Sequence, residues 1–216
     1  RGPKAKKAPP APSRKQSKPR AKAEKKSSRA GIKPGRTLVI VESPSKARTL
    51  GKILGKDFDI QSSVGHIRDL PKSRLAIDLE NDFEPEYILV RGKGAIARNL
   101  RERASASSRV LIASDPDREG EAIAWHLSEI LGVDPDSPCR VRMYEITPKG
   151  VKEAFDQVSS VDMKRVEAQQ ARRVLDRLVG YKLSPLLWDK IKRGLSAGRV
   201  QSAALKMICD RQGLID

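Results

Sequence analysis

Two short apolar runs in this sequence end in acids. Glu42 follows Thr37–Val41 directly, and Asp115, Asp117 and Glu119 come just after Val110–Ala113. In an open parallel sheet, ligands bind beyond the carboxyl ends of the strands. Two adjoining strands ending this way gather up to four carboxylates at one edge, and that many anions repel unless a cation sits among them. Magnesium suits such a set, because it takes carboxylate oxygens together with water and substrate phosphates. Lys46, four residues after Glu42 and near the start of a predicted helix, suits a phosphate, as do the backbone N–H groups there. The same residues have a plainer reading, in which Asp117 caps the next helix, Asp115 opens the turn and Lys46 is a solvated first-turn lysine.

A second constellation lies further on. Arg172, Arg173, Asp176 and Arg177 fall at i, i+1, i+4 and i+5, so Arg173 and Arg177 share a helix face, with Asp176 beside Arg172 and Arg173. Arg199 and Gln201 follow in a Gly-Leu-Ser-Ala-Gly-Arg-Val-Gln-Ser stretch whose small residues permit close backbone approach. With Tyr181 as a surface on which a base could stack, this set suits a groove for single-stranded nucleic acid. Read more plainly, the arginines are a solvated face and Tyr181 is packing. His66 and Arg68, in a turn-rich stretch, are weaker supporting candidates.

These residues need a scaffold. Thr37–Val41 reads as a buried parallel strand, with Ser45 as the cap of a helix running to about Leu54. Asp59–Val64, Tyr87–Val90, Val110–Ala113 and Val141–Tyr144 read as further strands, and Gly65–Pro71 as a connection. Helices are predicted over Ala95–Ala104 and from after Gly120 to Leu131. Alternation of this kind argues an α/β domain with a mainly parallel sheet. From Thr147 the pattern turns wholly helical. Thr147-Pro148 starts one helix, Asp162–Tyr181 forms a second, a third follows Ser184-Pro185, and a fourth begins near Ser196 or Gly198.

The chain has 216 residues and a net charge of +17. Residues 1–36 carry fourteen of the basic residues and one acid, Glu24, so this stretch holds +13 and the rest only +4. With six prolines and few large apolar residues, residues 1–36 are expected to be a disordered basic tail. Such a tail either tethers DNA through its phosphates or serves as a solubilising or targeting extension. Cys139 and Cys209 lack metal-ligand spacing, so neither a zinc site nor a disulfide framework is supported, and a reducing compartment is expected. The longest apolar runs are too short to span a bilayer.

The motifs Val41-Glu-Ser-Pro-Ser-Lys-Ala47, Ser63-Val-Gly-His-Ile-Arg-Asp-Leu-Pro71 and Ser114-Asp-Pro-Asp-Arg-Glu-Gly-Glu-Ala-Ile-Ala-Trp-His126 resemble those of bacterial-type DNA topoisomerase I, a type IA topoisomerase. Ala168-Gln-Gln-Ala-Arg-Arg173 and Gly194–Ser202 extend the resemblance, which runs in order from Arg36 to Asp216. It implies a Rossmann-like TOPRIM domain over residues 37–150. Residues 151–216 would begin a helical domain that lines a single-strand channel, cut short in this chain. It implies Mg2+ at Asp115, Asp117 and Glu119 with Glu42 beside the scissile phosphate. Glu42 would be the general acid, and Lys46 would steady the phosphate in the transition state. Arg172, Arg173, Asp176, Arg177, Arg199 and Gln201 would touch single-stranded DNA. A monomer acting in the cytoplasm at the nucleoid is implied too. Type IA enzymes attack with a tyrosine in a Thr-Tyr-x-Arg-Thr setting, and Tyr87, Tyr144 and Tyr181 all lack it. The chain is therefore expected to be an N-terminal piece without its nucleophile, inactive alone. Primases and some nucleases share the acids but need no Ala-Gln-Gln-Ala-Arg-Arg helix, and a purely tail-driven DNA-binding protein would need neither.

Overall fold

The structure is a computed structural model that describes residues 35–215. The expectation of a disordered tail falls almost wholly outside these residues. At its end, Gly35 N already donates to Ala106 O (3.2 Å) and Arg36 O accepts from Ser108 N (3.1 Å), so the ordered chain includes both residues.

Four parallel strands form the main sheet in the order β2-β1-β5-β6, with β1 at Thr37–Val41, β2 at Phe58–Ser62, β5 at Arg109–Ser114 and β6 at Arg140–Arg142. β1 is apolar and buried from Leu38 to Val41, as a strand covered on both faces requires. Leu38 and Ile40 join Ile112 under helices α2 (Gly94–Ala106), α3 (Arg118–Leu131) and the start of α5 (Met163–Lys190). Val39 and Val41 join Leu111, Ala113 and Val141 under α1 (Pro44–Leu54) and α4 (Pro148–Asp156). The last helix, α6, spans Arg199–Gln212. The α/β class and the helical segment after it are thus as the sequence predicts. Among the described residues, no helix is long and apolar enough to cross a membrane.

Three local expectations change. Ser43, not Ser45, caps α1: its hydroxyl accepts from Lys46 N at 3.2 Å, and Pro44 occupies the first turn, where a missing N–H costs nothing. The Tyr87–Val90 run does not enter the main sheet. Only Ile88–Leu89 (β4) is extended, paired antiparallel with Arg68–Asp69 (β3) in a separate ribbon. Both β4 side chains are exposed, so its apolar composition does not reflect burial on two faces. Finally, α5 runs unbroken through Pro185, where a new helix had been predicted. Proline removes one backbone bond. The turn around it is tied back from outside the helix: Ser184 Oγ accepts from Ala197 N at 3.0 Å, and the Trp188 indole donates to Leu195 O.

Candidate active site and nucleic-acid interface

The ends of β1 and β5 lie side by side, which brings Glu42 against the turn that follows β5. Asp115 N donates to Glu42 Oε2 at 3.2 Å. The Lys46 ammonium, projected from the first turn of α1, is clasped by Glu42 and Asp115 together. Two carboxylates that share one cation and touch each other do not ionise alike. Burial raises Glu42 above the ordinary carboxylate range and outweighs Lys46. Burial also pushes Asp115 upward, but bonds from Lys46 and Glu42 overcome it and hold Asp115 low. Glu42 and Asp115 are thus pushed in opposite directions, and the Lys46 ammonium between them has its own pKa raised by these partners against burial.

The rest of the acidic turn is differently engaged. Asp117 caps α3, accepting from Gly120 N at 2.7 Å through Oδ1. Glu119 Oε2 accepts from Gln169 Nε2 at 3.1 Å and lies 3.5 Å from His66 Nε2. Gly120 lets the turn close: a Cβ there would stand 2.1 Å from Asp115 O. Among the described residues, no three acidic, His or Cys side chains converge to hold a metal ion as they stand. The donor chemistry nevertheless fits a hard divalent cation. The four carboxylates lie on the segments that follow two adjoining strands, Asp115 and Glu119 are about half exposed, and Glu42 and Asp115 already share one cation, the Lys46 ammonium.

Behind the turn sits a pair that sequence reading missed. Arg140 and Glu121 are fully buried and joined at 3.0 Å. Arg140 also donates to Ser114 O (2.9 Å) and Asp115 O (2.7 Å), so it fixes the carbonyls on which the acidic turn is built. Glu121 Oε1 accepts from Asp162 N at 2.8 Å, which ties the turn to the start of α5. A signal existed: Glu121 shares the face of α3 that carries Ala124 and Ser128, both buried.

The family model for the Toprim domain matches residues 37–146, more than half of the chain. The chain belongs to the Toprim family. A second family model, described as DNA topoisomerase, matches residues 160–216, so the Toprim domain and the helices after it follow the bacterial DNA topoisomerase arrangement. The solved structure of full-length topoisomerase I from Thermotoga maritima is 50% identical with a TM-score of 0.77. That match covers 81% of this chain and 30% of the Thermotoga protein, so the chain spans about a third of its relative's length.

In the topoisomerase-like helices after the Toprim domain, the second constellation divides among different partners. Arg173 reaches back to the Toprim domain and grips Asp69 with two nitrogens, Nη2 at 2.6 Å and Nε at 3.1 Å. Burial pushes Asp69 up, but Arg173 more than reverses this and holds it low. Arg177 lies over the Tyr181 ring at 4.9 Å and donates to its hydroxyl at 2.8 Å, while that hydroxyl donates to Lys72 O. Asp176 joins the two helices, accepting from Arg199 Nε at 2.7 Å with Arg172 at 3.8 Å on its other oxygen. Gln201 stands exposed in the first turn of α6. An open cavity of about 630 Å³ runs here, with Arg173, Arg177, Tyr181, Pro185, Trp188 and Ala197 on its walls. Arg68 lies 5.7 Å from the Tyr87 and Trp125 rings and 3.9 Å from Glu129.

Proposed function

We propose that this chain supplies the metal and phosphate half of a type IA DNA topoisomerase. The whole enzyme would relax negatively supercoiled DNA by transient magnesium-dependent cleavage of one strand, strand passage and religation, acting as a monomer in the cytoplasm at the nucleoid. The observation that carries this reading is the Glu42–Lys46–Asp115 cluster at the carboxyl ends of β1 and β5. Glu42, whose pKa burial raises, suits a general acid that gives a proton to the 3′ oxygen as the phosphodiester breaks. Lys46 suits the balancing of charge on the phosphoryl oxygens, and Asp115 orients its ammonium. Asp115, Asp117 and Glu119 would hold Mg2+, which would neutralise phosphate charge. The Arg173–Arg177–Tyr181 wall and its cavity, with Arg172, Asp176, Arg199 and Gln201, would take single-stranded DNA. His66 and Arg68 would serve only in support.

The nucleophile in this reading is a tyrosine outside this sequence. Tyr87 is largely buried with its pKa pushed up to about 12 by burial, and the Tyr181 hydroxyl is committed to Lys72 O and Arg177. Tyr144 is exposed but has no Arg-Thr context.

The test is a magnesium titration followed by thermal unfolding. The midpoint should rise with Mg2+ by mass action, and Asp115→Asn with Asp117→Asn should abolish the rise. An equal response in the variant overturns the metal assignment. Labelled single strand incubated with the chain and Mg2+, then denatured, should leave no covalent adduct. Any surviving labelled band places the nucleophile within these 216 residues.

A further inference from the structure

Glu42 is the single residue between the end of β1 and Ser43, the cap of α1. Its carboxylate meets Lys46 and Asp115 N, and its carbonyl is held separately, by Gly65 N at 2.6 Å. Gly65 belongs to a turn that follows β2 and is laced to the end of β1. Ser63 N donates to Val41 O at 2.9 Å, and the buried Ser63 hydroxyl donates to Gly65 O at 2.9 Å. The turn is strained at one residue. Val64 has φ 58°, followed by Gly65 at φ 83°. Glycine takes such left-handed values at little cost, but a β-branched residue there is an outlier that persists only where surrounding contacts impose it. Burial of the valine does not impose it, because Val64 is 47% exposed.

The contact that does impose it comes from Lys93, 29 residues further on. Its ammonium donates to Ser63 O at 3.3 Å and to Val64 O, the two carbonyls that bracket the left-handed residue. Bonds from a charged donor are the stronger kind, and here they hold both peptide groups of Val64 at once. The lysine itself starts from a fixed base. Lys93 N donates to Val90 O and Lys93 O accepts from Ala97 N, both at 2.9 Å, where α2 begins. Among the described residues Lys93 has no carboxylate partner, so no acid draws the ammonium away from the turn. We propose that Lys93 is a positioning residue for the chemistry at Glu42: anchored at the start of α2, it clamps the left-handed Val64-Gly65 turn, and the turn holds the Glu42 main chain. The same turn leads into His66, whose Nε2 lies 3.5 Å from Glu119 Oε2, so one clamp serves both sides of the acidic edge. The inference rests on the reading of Glu42 as a reacting group. It adds a lysine that would act through Glu42 and not on the phosphate itself.

Amide hydrogen exchange, followed by NMR on the whole chain, tests the clamp. In Lys93→Met, exchange at Gly65 should quicken about tenfold or more, because the turn loses two charge-assisted bonds. Exchange at Ile112 N, bonded inside the sheet to Cys139 O, should keep its rate. The Glu42 carbonyl-carbon resonance should move together with the Gly65 amide proton, since the two share one bond. Lys93→Arg keeps a charged donor and should restore Gly65 protection to within about threefold. Val64→Gly added to Lys93→Met should recover part of the loss, because glycine holds the left-handed φ unaided. Lys93→Gln, a milder change, carries the same test should Lys93→Met not fold. A Gly65 amide as well protected without the ammonium as with it overturns the proposal. So does an unmoved Glu42 carbonyl, which would sever the turn from Glu42, or a loss of protection spread evenly over the sheet, which would make Lys93 a general stabilising contact. The clamp and the topoisomerase reading fail separately. An unfolding midpoint indifferent to Mg2+ alongside an unprotected Gly65 removes the metal reading and keeps the clamp. A midpoint that rises with Mg2+ alongside a protected Gly65 does the reverse.

Discussion

The charged residues of the sheet domain and those of the helices after it are held by opposite means. Behind the acidic turn, Arg140 and Glu121 are wholly enclosed and satisfy backbone carbonyls and an N–H of three different segments. On α5 and α6, Arg172, Asp176 and Arg199 pair with one another at the surface, each side chain at least a third exposed. The apolar residues follow the same division. β1 is sealed on both sides, whereas Leu186, Trp188, Ile191, Val200, Met207 and Ile208 are exposed, and α6 buries none of its residues. A buried pair cannot exchange partners without leaving an uncompensated charge, so it fixes geometry. Exposed pairs contribute little and can exchange one anion for another, including a phosphate. In the proposed function, the enclosed region would place the reacting groups and the open one would take a strand that must come and go.

The strongest way to break this contrast is to cut the buried pair. Glu121→Gln or Arg140→Met should lower the unfolding free energy by about 3–5 kcal/mol. Glu121→Gln combined with Arg140→Met should cost less than the two single losses added, because no lone charge remains buried. Denaturant unfolding of the four proteins measures this as a double-mutant cycle. Full additivity would mean that the pair is not the unit described here.

A pH series sharpens the same contrast. His126 titrates near 3 in the folded protein and near its ordinary 6.5 when unfolded, so between these values the unfolded chain binds the extra proton. Stability is complete above about pH 6.5 and should fall, as the pH drops towards 3, by up to about 1.4 kcal/mol per pH unit. His126→Phe should flatten that window when thermal or urea midpoints are followed from pH 7 to 4. An unchanged slope would place the proton uptake elsewhere.

The smallest effect is expected on the open side. Arg199→Ala, which frees Asp176 from the closer of its two arginines, should change stability by about 0.5 kcal/mol or less. It should nevertheless alter the salt dependence of single-strand affinity, because a phosphate contact carries counterion release even where an ion pair carries little stability. A large loss of stability would show that α6 is held by this pair after all.

Much of the scaffold was legible residue by residue. An uninterrupted Leu-Val-Ile-Val run can be satisfied only by burial on both faces, and acids directly after such strands can lie only at their carboxyl edge. Thr147-Pro148 marked a helix start that the fold adopts, because the cap and the fixed proline φ act within one turn. Local chemistry misled where a distant contact outweighed it. Pro185 predicted a break, yet Ala197 and Leu195 hold the helix through it from outside. Tyr87–Val90 has strand composition, but its partner is the short Arg68–Asp69 segment and not the main sheet.

The sequence by itself determined which groups stand at the sheet edge, since strand ends and helix starts are set by neighbours a few residues apart. Tertiary structure decided which of them meet. Lys46 joins Asp115 across 69 residues, Arg173 joins Asp69 across 104, and Tyr87, His126 and Gln169 share a cavity that no spacing announces. The reason is one of range. Periodicity and capping act over one or two helical turns, whereas a charge pair or an unpaired buried atom depends on which distant segment packs against it.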